Sequence, residues 1–341
     1  MYIPAIIAGL ISFIMTPFVI KMAHKLGAVD VPKDDRRMHK KPMPLWGGVA
    51  IFTGFFVSMF LFSNIATTKL IGLFIASCVV LVTGMIDDIK PLGAKSKLLM
   101  QIIAAFILVK SGFEINFFTN FFGKTDFIFL ANFAVPISII WIVGVTNTVN
   151  LIDGLDGLAA GISAIAAVTL SYIAILNHQY DAAMITLILA GSSIGFLPYN
   201  FNPAKIFMGD AGALFLGLVL AAISIDGALK SATAITVVVP ILALGVPIFD
   251  TAFAILRRLI NKRPIMEADK GHLHHRLMSI GLGQKKAVLS MYLISALLGA
   301  GAIALLKQSW LHAIILLGLA AVVVFIPINR SLLMQKKNDL E

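Results

Sequence analysis

The sequence predicts an all-α, polytopic membrane protein, a single integral domain over residues 1–341 with about eleven transmembrane helices. Three observations lead there. Of the 341 residues, 59% are hydrophobic and only 13% charged, against roughly 25% charged in soluble domains. Mean hydropathy is +0.95. Apolar runs of roughly 15–25 residues, long enough to cross a bilayer, recur along the whole chain.

The runs lie near 2–22, 46–64, 69–86, 97–111, 129–148, 158–176, 181–198, 211–226, 233–256, 288–306 and 310–328. The first has no charged leader and no small-residue cleavage site, and reads as a retained helix. Chain polarity follows from Lys and Arg. All 27 of them except Lys69, Lys110, Lys124, Lys230 and Lys307 fall in alternate connections and the carboxyl tail. That side is therefore cytoplasmic, with the amino terminus outside. Losing one span would scramble the segregation, so the pattern supports the count. The net charge of +10 is topogenic, and nucleic acid is not an expected partner; membrane lipids are. The lone Cys78 excludes an intrachain disulfide and a thiolate metal site.

The acids segregate too. Only Glu114, Asp126, Asp181 and Asp226 fall outside. The positive-inside rule does not place acids, so their bias points to one cytoplasmic-face cleft. Its walls would come from loops 22–45, 87–97, 146–157, 199–211 and 257–287.

The richest of these carries Asn147-Thr-Val-Asn150-Leu-Ile-Asp153-Gly-Leu-Asp156-Gly. Polar residues every third position share a drifting helical stripe. Gly154 and Gly157 permit close backbone approach or positive φ. Acids in this setting are costly unless they bind something; the bland alternative is a helix cap with Asp-Gly turns. Loop 87–97 opens on Asp87-Asp88, a repelling pair at a helix C-terminus, where the macrodipole also opposes it. A compensating cation is expected. Loop 199–211 carries Asn200, Phe207 and Asp210: an amide, a ring face and either a cap or a ligand. Loop 22–45 is basic and ends in the rigid Pro42-Met-Pro44-Leu-Trp46-Gly47-Gly48.

Loop 257–287 holds Arg263, Lys270, His272, His274 and His275. Zinc lacks its usual partners here. Imidazoles beside cations suit a diphosphate better. Carboxylates for a metal, cations for phosphates and a membrane setting together fit phosphoryl transfer to a lipid. An ion-coupled transporter is the competing class, but transporter acids usually sit near the midplane on broken helices.

In these motifs, taken in order over residues 2–328, the chain resembles the polyprenyl-phosphate N-acetylhexosamine-1-phosphate transferases. The resemblance rests on Asp30-Val-Pro32 through Gly47-Gly48, Asp87-Asp88, Asn147 through Leu158, Asn200 with Phe207-Met-Gly-Asp210, and His272-Leu-His-His275. It implies transfer of a sugar 1-phosphate from a UDP-sugar to undecaprenyl phosphate with release of UMP. It also implies Mg²⁺ (Mn²⁺ as an alternative), a location in the bacterial plasma membrane, and a homodimer. It assigns a base to Asp87 or Asp88, the metal to Asp210 with Asp153, and catalytic or nucleotide roles to Asp153 and Asp156. Uridine would be held by Gly154, Asp156, Asn200 and Phe207, the phosphates by Lys97, and the donor diphosphate by His272, His274 and His275. Asn150, Arg263 and Lys270 complete the expected substrate contacts. Leu273 interrupts the His run, as in the branch that uses UDP-N-acetylglucosamine for teichoic acid or O-antigen-type polymers. The peptidoglycan branch, which transfers phospho-N-acetylmuramoyl-pentapeptide, usually shows three consecutive His and is the runner-up.

Overall fold

The computed structural model describes residues 2–31, 42–119, 127–227, 238–264 and 271–338. Residues 32–41 of the loop 22–45, and Lys270, lie outside the described residues.

Among the described residues the chain is a helical bundle. In order, the helices are α1 (Tyr2–Leu26), α2 (Gly47–Phe62), α3 (Thr67–Ile89), α4 (Ala94–Lys110), α5 (Ala134–Ile152), α6 (Leu158–Leu176), α7 (Tyr180–Asn200), α8 (Gly209–Gly227), α9 (Val238–Ala243), α10 (Gly245–Ile260), α11 (Leu273–Ser279), α12 (Gln284–Leu306) and α13 (Trp310–Asn338). Two antiparallel ribbons are added: β1 (Val29–Asp30) with β2 (Met43–Pro44), and β3 (Phe117–Thr119) with β4 (Phe127–Phe129). Seven helical segments are long and apolar enough to cross a membrane, and Gly47–Phe62 and Trp310–Ile326 are shorter apolar helices. These segments cover nine of the expected runs; the run at 97–111 lies in α4, and the described part of the run at 233–256 is not one piece. The run at 233–256 is divided at Leu244 into α9 and α10, and α11 is a seven-residue helix inside the expected loop 257–287. The expected loops are also shorter than drawn, because α3 carries Asp87 and Asp88 in its last turn and α5 runs to Ile152.

α8 is the axis of the bundle. All but a few of its residues are buried, from Ala211 through Ile225. A helix that is apolar all round is at home in a core or in lipid, and here it is the core. Its neighbours come close because small residues face it. A side-chain carbon at Gly84 of α3 would strike the Ala211 backbone, and one at Gly48 of α2 would strike Gly212. Gly217 of α8 in turn meets the backbone of Thr146 on α5. On the opposite flank, Gly191 and Gly195 of α7, four apart on one face, press on the α1 backbone at Ala5 and Gly9. Small residues at this spacing are how helices approach where lipid gives no hydrophobic drive.

One end of this packing is polar but closed by pairing. Lys69, at the start of α3, donates to Asp226, at the end of α8, at 2.7 Å, and stands over the Phe113 ring. At the other end of the same helices lie Asp87, Asp88 and Asp210. The Lys69–Asp226 pair and these three acids thus lie at opposite ends of α3 and α8.

Candidate active site

The site forms where the ends of α3, α4, α5 and α8 meet. Asp87 and Asp88 are adjacent on α3, so helical geometry turns them about 100° apart. Asp88 points at the N-terminus of α8, and its Oδ1 accepts the Asp210 backbone N–H at 2.9 Å. The helix end supplies unpaired N–H groups and partial positive charge. Compensation for an acid at the C-terminus of α3 is thus partly met by the start of α8. Gly209 makes the approach feasible: its φ is +71°, and a side-chain carbon there would collide with Asp88 Oδ2. That Oδ2 is buried with no hydrogen-bond partner.

Asp87 turns toward α4. Its Oδ1 accepts from Leu92 N at 2.6 Å and its Oδ2 from Lys97 Nζ at 3.0 Å. The same Lys97 Nζ donates to Asp210 Oδ2 at 2.6 Å, and Asn150 Nδ2 donates to Asp210 Oδ1 at 3.2 Å. Four residues from four helices are thus joined in one network. Further into the bundle, Asn147 pairs with Gln101, each amide donating to the other's oxygen.

Asp153 lies just past the end of α5. Burial, then the charges of Asp210, Asp88 and Asp156, push its carboxyl up to about 8. Three acids around a fourth make a place that favours a cation. Asp156 is turned to the 201–204 turn: its Oδ2 accepts from Asn202 Nδ2 at 2.9 Å and Ala204 N at 3.1 Å, and Asn202 also donates to Gln284 Oε1 at 2.6 Å. Asn200 is buried and donates to Ile206 O at 3.0 Å, bracing that loop. Phe207 is fixed through its backbone, its N–H donating to Pro44 O at 2.9 Å and its C=O accepting from Gly47 N at 3.0 Å. Trp46, itself at positive φ, locks the neighbouring turn by donating from Nε1 to Met85 O at 3.1 Å.

The His motif approaches from the other side. His272 precedes α11, and His274 and His275 lie on its first turn. The rings of His272 and His274 stack at 5.8 Å with 7° between planes, and His274 and His275 lie 4.2 Å apart. His274 Nε2 stands 2.8 Å from where a side-chain carbon on Gly154 would be. Gly154 is therefore needed for space, whereas the positive φ of this turn belongs to Gly157, at +78°. His274 is buried, and that burial, reinforced by His275 and His272 against the pull of Asp250, lowers it to about 4. Arg263 is exposed on the segment after α10 and lies apart from the acid cluster in sequence and helix position.

The residues suit a hard divalent cation. The donors are carboxylate oxygens, one of them the orphaned Asp88 Oδ2. Among the described residues no three His, Cys, Asp or Glu side chains close around a point as a ready-made cage. Mg²⁺ is commonly held in that way, by one or two carboxylates with waters and substrate phosphates.

Sequence reasoning missed two parts of this assembly. Asp250 accepts from His272 Nδ1 at 2.7 Å. Tyr292 of α12 donates to Gly157 O at 2.5 Å, clamping the start of α6. The signal for Asp250 was present, as a lone acid in an apolar helix after Pro247. Tyr292 gave none, since its partner is a backbone carbonyl far away in sequence.

Comparison with known proteins places the chain among relatives by sequence. The description "Glycosyl transferase family 4" matches residues 70–228, which include Asp87, Asp88, Lys97, Asp153 and Asp210. A probable undecaprenyl-phosphate N-acetylglucosaminyl 1-phosphate transferase of Bacillus subtilis (strain 168) is 42% identical over 312 residues, covering 91% of this chain and 87% of the relative. The chain belongs to glycosyl transferase family 4. A second family member, the undecaprenyl-phosphate alpha-N-acetylglucosaminyl 1-phosphate transferase of Thermotoga maritima, is 30% identical over 82% of this chain and 83% of its own length. A phospho-N-acetylmuramoyl-pentapeptide-transferase of Listeria monocytogenes is 32% identical over a shorter stretch, 61% of this chain and 68% of that protein. The two N-acetylglucosaminyl relatives are thus matched over more of the fold than the peptidoglycan one.

Proposed function

We propose that this family 4 protein transfers N-acetylglucosamine 1-phosphate to undecaprenyl phosphate, with UDP-N-acetylglucosamine as donor and UMP as leaving group. The observation that carries the reading is the network of Asp87, Lys97, Asn150 and Asp210 at the junction of four helix ends. It places a cation and carboxylates together at the end of a membrane bundle. The names of the relatives matched along nearly the whole chain supply the lipid and the sugar.

In the reaction an oxygen of the lipid phosphate attacks the sugar-bearing phosphorus of the donor. The new P–O bond forms as the bond to the bridging oxygen breaks, and UMP departs with that electron pair. Lys97 contributes positive charge toward the phosphoryl oxygens as charge spreads in the transition state. Asp87, bound to Lys97, holds that ammonium in place. Asp88 fixes α8 so that Asp210 faces the cleft. Bound Mg²⁺, held by Asp210 and Asp153, would neutralise diphosphate oxygens. The His motif, brought against Gly154, lies beside the same acids and is suited to the donor diphosphate. Direct attack is favoured over a covalent enzyme intermediate, because positioning and charge suffice for phosphoryl transfer. The cleft is assigned to the cytoplasmic face of the bacterial plasma membrane, where the basic loops lie, and a homodimer is the expected assembly.

The test is UMP release by detergent-purified protein with undecaprenyl phosphate and Mg²⁺. UDP-N-acetylglucosamine is expected to support release and the muramoyl-pentapeptide nucleotide is not. Release with the second donor alone would move the protein to peptidoglycan synthesis. Silence with both, where a known family member works, would remove the reading.

A further inference from the structure

Asp250 belongs to none of the motifs that carry the phosphate chemistry. It lies on α10, is only 9% exposed, and both of its carboxylate oxygens are used. Oδ1 accepts from Leu273 N at 2.8 Å and Oδ2 meets His272 Nδ1 at 2.7 Å. With the carboxylate oxygen as acceptor, this bond is made by an Nδ1–H of His272. Nε2, on the far edge of the ring, has no hydrogen-bond partner among the described residues. The neighbouring side chains continue the line: His272 stacks on His274, and His274 stands over Gly154, the residue after Asp153. A second α10 side chain, Arg257, lies against Gly271, just before His272.

A helix cap explains only half of this. Capping Leu273 N needs one acceptor, which Ser would provide. The second oxygen is spent on an imidazole, and an acid in an apolar helix is a costly way to make a cap.

We propose that Asp250 is a positioning residue for the transfer reaction, holding the His272 ring through its Nδ1–H so that the opposite edge faces the nucleotide-sugar donor and, in the ring that carries both protons, Nε2–H donates to the diphosphate. This rests on the transferase reading above. Asp250 does not touch substrate; it acts through His272, as carboxylates do when they orient ligating or catalytic imidazoles.

The experiment compares wild type with Asp250→Ser, Asp250→Glu, His272→Gln and the Asp250→Ser/His272→Gln double variant, all purified in detergent. Serine keeps a cap for Leu273 N but cannot hold the ring. Nitrogen-15 NMR of histidine-labelled protein reads the tautomer of His272, assigned by the signal that His272→Gln removes. Wild type is expected to be protonated on Nδ1 and Asp250→Ser to show a mixture. In UMP release, Asp250→Ser is expected to lower kcat by about tenfold or more, with the thermal midpoint and the KM for undecaprenyl phosphate little changed. Asp250→Glu, keeping the charge, loses less. The double variant is expected to be no worse than about twofold below His272→Gln, since removing Asp250 has nothing left to act through. Loss by the full product of the two single factors, or an unchanged tautomer in Asp250→Ser, overturns the positioning role while leaving the transferase reading intact. A wild type that releases no UMP overturns the transferase reading, and the positioning role with it.

Discussion

Asp210 is the residue on which most of the site converges. Its backbone N–H is held by Asp88, one carboxylate oxygen by Lys97 and the other by Asn150. Asp210→Asn keeps the shape and the backbone bond while removing the charge. UMP release is expected to fall by about two orders of magnitude or more, with the thermal midpoint preserved; near-wild-type turnover would take Asp210 out of the chemistry. His274 gives a prediction of a different kind. Its folded value of about 4 lies below the ordinary 6.5. Between those two values the unfolded chain binds a proton that the folded protein refuses, so stability rises with pH through that window. The contribution is complete above pH 6.5 and is lost as pH falls toward 4, by an amount on the order of 3 kcal/mol. The thermal midpoint in detergent should drop on acidification, and His274→Gln should flatten that part of the curve. The identities of these residues were legible in the sequence because each is a polar group in an apolar surrounding. Their partners were less so. Nothing in the spacing says that Asn200 braces Ile206, or that Asp156 spends an oxygen on Asn202 and Ala204. Such bonds depend on how a loop closes, which local pattern does not encode.

The helices were legible from hydropathy alone, and their ends were not. Basic and acidic residues near a helix end look like loop when read by composition, yet Asp87, Asp88 and Lys97 all lie within helical turns. The break at Leu244 was hidden as well, since both halves of that run are apolar. Pro240, Gly245 and Pro247 around it were its marks. The contact between α3 and α8 depends on Gly84, whose missing side chain lets Ala211 and the Asp210 backbone approach. Gly84→Val forces the two helices apart and is expected to destabilise the protein by about 1–3 kcal/mol. Because the same contact holds Asp88 to Asp210, activity should fall further than stability. That split is readable as lost turnover at a temperature where circular dichroism still reports a folded helical protein. Full turnover in Gly84→Val would show that the close approach is not needed.

At the scale of the whole molecule, charge is distributed between two ends of a bundle. The orientation read from Lys and Arg can be checked with little engineering, because Cys78 is the only native thiol. In a Cys78→Ala background, Glu114→Cys is expected to react with a membrane-impermeant thiol reagent added to intact cells. Lys285→Cys should react only after the membrane is opened. The reverse pattern would invert the assignment.

The end with Lys69 and Asp226 has a further consequence. There α3 and α8 are joined by a direct ion pair, Trp141 Nε1 donates to Ser224 Oγ at 2.9 Å, and the interior of α8 is solid with side chains. Among the described residues the fold has an end that gathers the acids and an end stapled by this pair. For the proposed transfer, donor and acceptor meet at the acid end, while the pair at the other end holds α3 and α8 at the spacing that keeps Asp88 against Asp210.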